Sequence, residues 1–322
     1  MVVRSVTDGC RYESIQTAYA SEGEGKMSIF EGAGVALITP MNADGSVNYD
    51  KLEELLEMQI AGGTDAIISC GTTGEASTLS EEEHIECIRF TCEKVKGRIP
   101  VVAGTGSNST YTALQLSKEA KDAGADALLL VTPYYNKATQ AGLVKHLGTI
   151  AGEVGLPVIL YNIPGRTGMK IEAETIMEMR KEYSNIVGVK DATGDMAETV
   201  KVLSLSDGKI DVYSGNDDIT VPIMSVGGKG VISVLSDILP KETHDMVKAC
   251  LDGDFKTGAA MQLKYYDLIQ ALFGEVNPIP VKKAMNLMGL DVGPLRLPLT
   301  EMSEAKATIL KEEMIKVGIV VK

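Results

Sequence analysis

The stretch IVGVKDATGD, residues 186–195, runs an apolar segment into a lysine, an acid and a small polar turn. Lys190 at that junction reads in two ways: a solvated strand end, or an amine held at the mouth of a pocket. A lysine with a depressed pKa attacks a ketone to form a Schiff base, and the protonated imine then withdraws electrons from the neighbouring carbon. Ordinary lysine titrates near ~10.4, so such a site must favour the neutral amine through burial or a nearby cation. The apolar IVGV ahead of Lys190 supplies the burial. Tyr161, at the end of PVILYNIP (157–164), is a phenol able to move protons one strand away.

Other groups stand at the ends of similar apolar runs: Thr39, Thr72, Thr73, Thr105, Tyr134, Tyr135, Arg166 and Ser214. Each has a structural reading as well. Thr72 and Thr73 fit turn caps, the tyrosines rim packing, and Arg166 a partner for a surface acid. No carboxylate pair appears at adjacent run ends, which disfavours glycoside hydrolysis. The three histidines, His84, His146 and His244, are far apart on expected helices and build neither an HExxH site nor a Ser/His/Asp set. Five cysteines at unpatterned spacing, with no CxxC, suit free thiols in a reducing cytoplasm better than disulfides or a zinc cage. Cys70 reads as a buried strand thiol.

The elements that must position these groups recur. The runs 34–40, 66–74, 100–106, 127–135, 157–164, 186–194, 211–217 and 230–234 are short, β-branched and apolar on both faces, as strands of a helix-covered parallel sheet must be. Helical patterns fill most gaps. Residues 48–63 place Leu52, Leu55 and Leu56 on one side, and 80–95 opens with Ser80 and Glu83 at capping-box spacing. AGGTDAIIS (61–69) and AGADALLLV (123–131) both stop a helix with glycine. Eight such units predict an α/β fold, a TIM (β/α)8 barrel, whose strand ends share one open face. A doubly wound sheet would carry GxGxxG after its first strand, and GVALITPMNADG has none. GTGSNS (104–109) reads as a tight turn, and the glycines of VGGKG (226–230) as close-packing positions. Beyond about residue 240, helices are expected over 240–274, 278–290 and 300–318. The chain thus divides into a non-conforming N-terminal extension (1–28), a barrel (29–252) and a C-terminal helical domain (253–322).

GTTGE (71–75), VTPYYNK (131–137), YNIPGRTG (161–168) and GVKDATGD (188–195), in this order and spacing, resemble the dihydrodipicolinate synthase family of Schiff-base lyases. The likeness runs from about Phe30 to the C-terminus. It implies condensation of pyruvate with L-aspartate 4-semialdehyde on the route to diaminopimelate and lysine, with no metal or organic cofactor. It implies Lys190 as the Schiff-base lysine and Tyr161 as proton shuttle. Thr72 would link Tyr161 to Tyr135, which in this family enters from a neighbouring subunit of a homotetramer, a dimer of dimers. Thr73 would hold the pyruvate carboxylate and Arg166 that of the semialdehyde, with the backbone around Gly215 and Ile232 lining the pocket.

Two alternatives share the fold and lysine: N-acetylneuraminate lyase and the sugar-acid aldolases. Neuraminate lyases tend to carry Ser-Thr where Thr72–Thr73 stand, and a small or apolar residue at the position of Arg166. A non-catalytic barrel is disfavoured by the intact Lys190, Tyr161 and Thr72 set. Lysine-sensitive members hold the effector at a subunit interface, where Ser77, His84, Asn108 and Tyr134 fit. Glu81 stands for a frequent histidine and Thr112 for a frequent glutamate, which implies weak or absent feedback.

The net charge of −13 argues against a nucleic-acid partner, which normally needs a basic face, and no run approaches the ~20 apolar residues of a membrane helix. The first 26 residues are polar and lack a signal-peptide core, which fits a start-site error ahead of Met27 or a flexible tail.

Overall fold

The computed structural model describes residues 28–322. The N-terminal extension therefore lies outside the described residues, apart from Ser28. Eight parallel strands close in chain order into a barrel, β1 pairing with β8. They are β1 (Gly32–Ala36), β2 (Ala66–Ser69), β3 (Val101–Gly104), β4 (Ala127–Val131), β5 (Val158–Asn162), β6 (Ile186–Asp191), β7 (Asp211–Ser214) and β8 (Gly230–Ser233). The covering helices are α1 (Tyr49–Ala61), α2 (Glu81–Val95), α3 (Thr110–Asp122), α4 (Gln140–Val154), α5 (Ala173–Glu182), α6 (Met196–Ser206), α7 (Thr220–Ser225) and α8 (Pro240–Leu251).

Strand alternation decides what faces the site. Ala36, Ile68, Val102, Leu129, Ile159, Tyr161, Tyr213 and Ile232 meet in the lumen, while Val35, Ile67, Leu128, Leu160, Val189 and Val212 pack outward under helices. Because side chains alternate along a strand, outward Val189 and the outward carboxylate of Asp191, bonded to Thr199 of α6 at 2.6 Å, put Lys190 inside. Phe30 stacks on Tyr213 at 4.4 Å between ring centroids within the same lumen cluster.

The local signals hold in detail. Ser80 and Glu83 form the capping box of α2. α1 buries Leu52, Leu55, Leu56 and Gln59, and the Gln59 amide donates to Ser236 O. Gly63 and Gly124 take positive φ just after α1 and α3. A Cβ on Gly228 would stand 2.6 Å from Ile223, so the glycine there permits close packing. The first strand differs from expectation: β1 covers Gly32–Ala36, and Leu37–Pro40 leave the sheet to carry Thr39 toward the GTTGE turn.

The helical span expected over 240–274 holds two helices. α8 ends at Leu251, Gly253 turns at φ +85, and Asp254 caps α9 (Phe255–Leu272) by accepting from Thr257 N. α10 (Ile279–Leu287) and α11 (Glu304–Lys316) follow. Gln262 of α9 joins this helical segment to the barrel, donating to Asp217 O at 2.8 Å and accepting from Val221 N.

A buried ion pair clamps the same segment to the GTTGE turn. Lys282 Nζ of α10 stands 2.8 Å from Glu75 Oε1, both side chains essentially inaccessible, and also donates to Thr39 O and Pro294 O. The other Glu75 oxygen accepts from Arg296 N, and the Arg296 guanidinium grips Glu83 of α2 through two bonds. Removing one partner of a buried pair strands the other charge. Lys282→Ala is therefore expected to cost roughly 3–5 kcal/mol in urea unfolding, and Glu75→Gln on that background should recover part of the loss.

Candidate active site

Lys190 sits on β6 between its register partners, Tyr161 of β5 and Tyr213 of β7. It is only 6% exposed, and its ammonium group stands 4.4 Å from the centroid of the Tyr161 ring. Burial lowers its pKa to about 8, opposed by the Asp217 carboxylate and helped by the Arg166 guanidinium. Burial also raises the Tyr161 phenol to about 12, against Arg166 and a hydrogen bond with Thr72. The amine is thus biased toward its neutral form and the phenol toward its protonated form. One partner can lose a proton near neutrality while the other holds one.

The GTTGE turn following β2 supplies the facing wall. It is framed by two non-glycine residues in the left-handed region, Cys70 at φ +55 and Glu75 at φ +54, a conformation with a steric cost. The Glu75 clamp and the Thr39 hydroxyl, which donates to Gly74 O at 2.7 Å, hold the turn in that shape. Thr73 is buried, and its hydroxyl is reached by the Asn277 side chain at 2.9 Å. Arg166 lies in the single turn Pro164–Thr167 after β5, closed by Gly168 at φ +70. Instead of pairing with a surface acid, its guanidinium donates to Asn277 O at 2.9 Å. Gly215 donates to Asp191 O, and a Cβ there would stand 2.7 Å from that of Ala192. Ile232 packs in the lumen with Tyr161.

A cavity of about 370 Å3 joins the walls. Thr72, Tyr161 and Arg166 line it together with Ser77, His84, Thr112 and Tyr134, so part of the expected catalytic set shares one space with most of the expected effector groups. Lys190, Thr73, Gly215 and Ile232 do not line it, and Lys190 meets it only through the Tyr161 ring. Asn108 contributes indirectly, donating to Tyr134 O at 3.2 Å. Glu81 is exposed and does not line the cavity. His84 Nε2 bonds Gly104 O at 2.8 Å, and burial holds the ring below the ordinary histidine pKa. Tyr135 points away: it is 92% exposed, on backbone at φ +71.

Several strand-end groups turn out to be structural. Thr39 serves the GTTGE turn, Thr105 bonds Ser117 of α3 at 2.7 Å, and Ser214 donates to Asn216 O. Cys70 lies just past β2 and is buried, its thiol pushed well up, chiefly by the hydrogen bond with Cys87 and then by burial.

One expectation is corrected. Carboxylates do stand at adjacent strand ends: Asp217 after β7 and Asp237 after β8 are both fully buried. They are fixed as loop anchors. Asp217 accepts from Ser233 Oγ, Val234 N and Leu235 N, and Asp237 accepts from Ile38 N. Burial raises both carboxyls, and Asp217 raises Asp237 further. Asp217 is also the charge that opposes the depression of Lys190. The SGND run held the signal for Asp217; nothing local marked Asp237, which follows its strand through a 3-10 turn.

The family described as the dihydrodipicolinate synthetase family matches residues 29–316. The chain belongs to it. Among its relatives, the 4-hydroxy-tetrahydrodipicolinate synthase of Lachnoclostridium phytofermentans is 58% identical over 294 residues, 91% of this chain and all of that protein. That of Thermoanaerobacter sp. is 54% identical over 91% of this chain and 98% of its own. Two solved dihydrodipicolinate synthases superpose closely. The Aquifex aeolicus structure gives a TM-score of 0.89 at 44% identity, over 91% of this chain and 100% of that one. The chloride-inhibited Acinetobacter baumannii enzyme, complexed with pyruvate, gives 0.88 at 46%, over 90% and 99%. Membership in the dihydrodipicolinate synthetase family accounts for the closed barrel with helices appended at its C-terminal end. Among the described residues no helix is long and apolar enough to cross a membrane.

Proposed function

We propose that this chain is a 4-hydroxy-tetrahydrodipicolinate synthase, condensing pyruvate with L-aspartate 4-semialdehyde through a Schiff base on Lys190. The observation that carries this reading is the buried amine of Lys190 against the Tyr161 ring, its pKa lowered to about 8. Near pH 7 about one such amine in ten is neutral, against roughly one in a few thousand for an ordinary lysine.

The neutral amine attacks C2 of pyruvate, and the carbinolamine loses its oxygen as water while Tyr161 moves the proton. The imine withdraws electrons, the methyl group gives up a proton, and the resulting enamine carbon attacks the aldehyde. The aldehyde oxygen takes a proton and remains as the 4-hydroxyl. The product's own amine then adds to the imine carbon and the bond to Lys190 breaks, closing the ring as a cyclic imine. One water is released overall.

Thr72 holds the Tyr161 phenol, and Thr73 with the GTTGE amides receives the pyruvate carboxylate. Arg166 receives the carboxylate of the semialdehyde, a task suited to a guanidinium. The backbone at Gly215 and Ile232 lines the pocket.

Tyr135 completes the Thr72–Tyr161 relay of a neighbouring copy within a homotetramer. The 92% exposure of Tyr135, with Tyr111 at 74%, supports a tight contact there, and Leu263 (75%) and Tyr266 (44%) on α9 support a second, separate one. Light scattering is expected to give four chains, and a monomer with full activity would contradict this. The free thiols of Cys70, Cys87, Cys92 and Cys250 fit a cytoplasmic location.

A relative from Cyanidioschyzon merolae has been solved with lysine bound. Here Thr112, on the cavity wall, offers no carboxylate for an α-amino group. Half-inhibition by lysine is therefore expected only above the millimolar range, and sub-millimolar inhibition in a steady-state assay would contradict that.

The functional test is turnover of pyruvate with L-aspartate 4-semialdehyde, coupled to the downstream reductase, beside pyruvate with N-acetylmannosamine. Activity with the semialdehyde alone supports the assignment. Activity with the sugar alone would keep Lys190 and overturn the substrate, leaving an N-acetylneuraminate lyase.

A further inference from the structure

We propose that Asn277, in the connection between α9 and α10, is a positioning residue for the carboxylate site of the keto acid, acting through Thr73. Its side-chain Nδ2 donates to Thr73 Oγ1 at 2.9 Å, and its main-chain oxygen receives the Arg166 guanidinium at 2.9 Å. One residue from the helical segment thereby touches both groups assigned to substrate carboxylates. The inference rests on the reading of Thr73 as holder of the pyruvate carboxylate.

The chemistry lies in who donates. A threonine hydroxyl has one hydrogen to give and two lone pairs to offer. With Nδ2 occupying a lone pair, the Thr73 hydrogen is left for a carboxylate oxygen, which can only accept. Asn277 is 8% exposed, and its Oδ1 is buried with no partner among the described residues. Turning the amide over would leave Nδ2 orphaned instead and would consume the Thr73 hydrogen on Oδ1. Only the observed arrangement frees the hydroxyl for substrate. An orphaned buried acceptor is a cost that an apolar residue of similar size would avoid, so the residue type is explained by its donor end. The backbone bond to Arg166 does not depend on the side chain, so the side chain's effect should fall on pyruvate.

The test is a double-mutant cycle. Asn277→Asp keeps size and the backbone bond to Arg166 but replaces the donor by an acceptor that takes the Thr73 hydrogen. We expect the pyruvate KM to rise about tenfold or more, as loss of a hydrogen bond to a charged group implies, with kcat and the semialdehyde KM changing several-fold less. Thr73→Val should raise the pyruvate KM similarly. In the Thr73→Val background Asn277→Asp should add less than about twofold, because interacting sites are non-additive. The same cycle run with Asn277→Ala guards against a poorly folding variant.

A full additional effect in the Thr73→Val background, or an unchanged pyruvate KM in Asn277→Asp, would overturn the role of Asn277 while leaving Thr73 in place. No effect of Thr73→Val itself, or no borohydride adduct with pyruvate in the wild type, would overturn the underlying reading and the inference with it.

Discussion

Replacing Lys190 by methionine is expected to lower kcat by roughly a thousandfold or more, since no other side chain at the site can form the imine. The same change should make the protein more stable. The folded-state pKa of Lys190 is about 8 against an ordinary value of 10.5. Its depression means that burial penalises the charged form. Below pH 8 the amine is protonated in both states and the full penalty is present, on the order of 3 kcal/mol. Between about 8 and 10.5 the unfolded lysine holds a proton that the folded one has released, so stability rises with pH across that window. Methionine fills a similar space without the charge. Its melting temperature near pH 7 should exceed that of the wild type, with the gap narrowing toward pH 10. An inactive variant of unchanged stability would show that the amine is solvated in the folded protein.

Removing the phenol should have the second largest effect. Tyr161→Phe keeps the ring against the Lys190 amine and deletes only the hydroxyl that Thr72 holds. General acid–base groups contribute about a hundredfold to ten-thousandfold, so kcat should fall within that range. Pyruvate should still be captured on Lys190, but more slowly, because the amine remains while the proton carrier is gone. Equal loss of capture and turnover would place the phenol's role in binding. Thr72→Val should produce the same pattern at smaller amplitude, since Thr72 acts only by orienting Tyr161.

What the sequence disclosed and what it hid divides along sequence separation. Lys190, Tyr161 and Thr72 each end a short apolar run, and the strand period places such residues at one open face without knowledge of the rest of the chain. The capping box at Ser80 and the glycine stops at Gly63 and Gly124 were likewise local and hold. The helix break at Asp252–Asp254 carried a local signal too: Gly253 followed by an N-capping aspartate four residues before Gly258.

The groups that hold the GTTGE turn were invisible for a different reason. Asn277 meets Thr73 across 204 residues of chain, and Lys282 meets Glu75 across 207. In sequence, Lys282 is one lysine of a VKK run on a helix, with nothing to distinguish it from solvated neighbours. Only the fold shows that it is buried. Asp217 stood within a run already read as a strand end, yet its burial depends on the β8 loop that supplies its donors. Tyr135 is the converse case: its exposure is plain in one chain, and the partner proposed for it belongs to a second copy.

The helical segment after α8 is consequently more than a cover. Through Asn277, Lys282 and Arg296 it reaches Thr73, Arg166, Glu75 and Glu83, so the shape of the wall proposed to receive the substrate carboxylates depends on residues far from the barrel strands. Loosening that clamp should register in pyruvate affinity before it registers in the imine chemistry, which belongs to the lumen.

The most direct measurement is to incubate the folded protein with pyruvate and borohydride, digest it, and locate the adduct by mass spectrometry. A single reduced adduct on Lys190, absent without pyruvate and absent in Lys190→Met, is the expected result. An unmodified Lys190, or capture on a different lysine with turnover intact, would contradict Schiff-base chemistry at this residue.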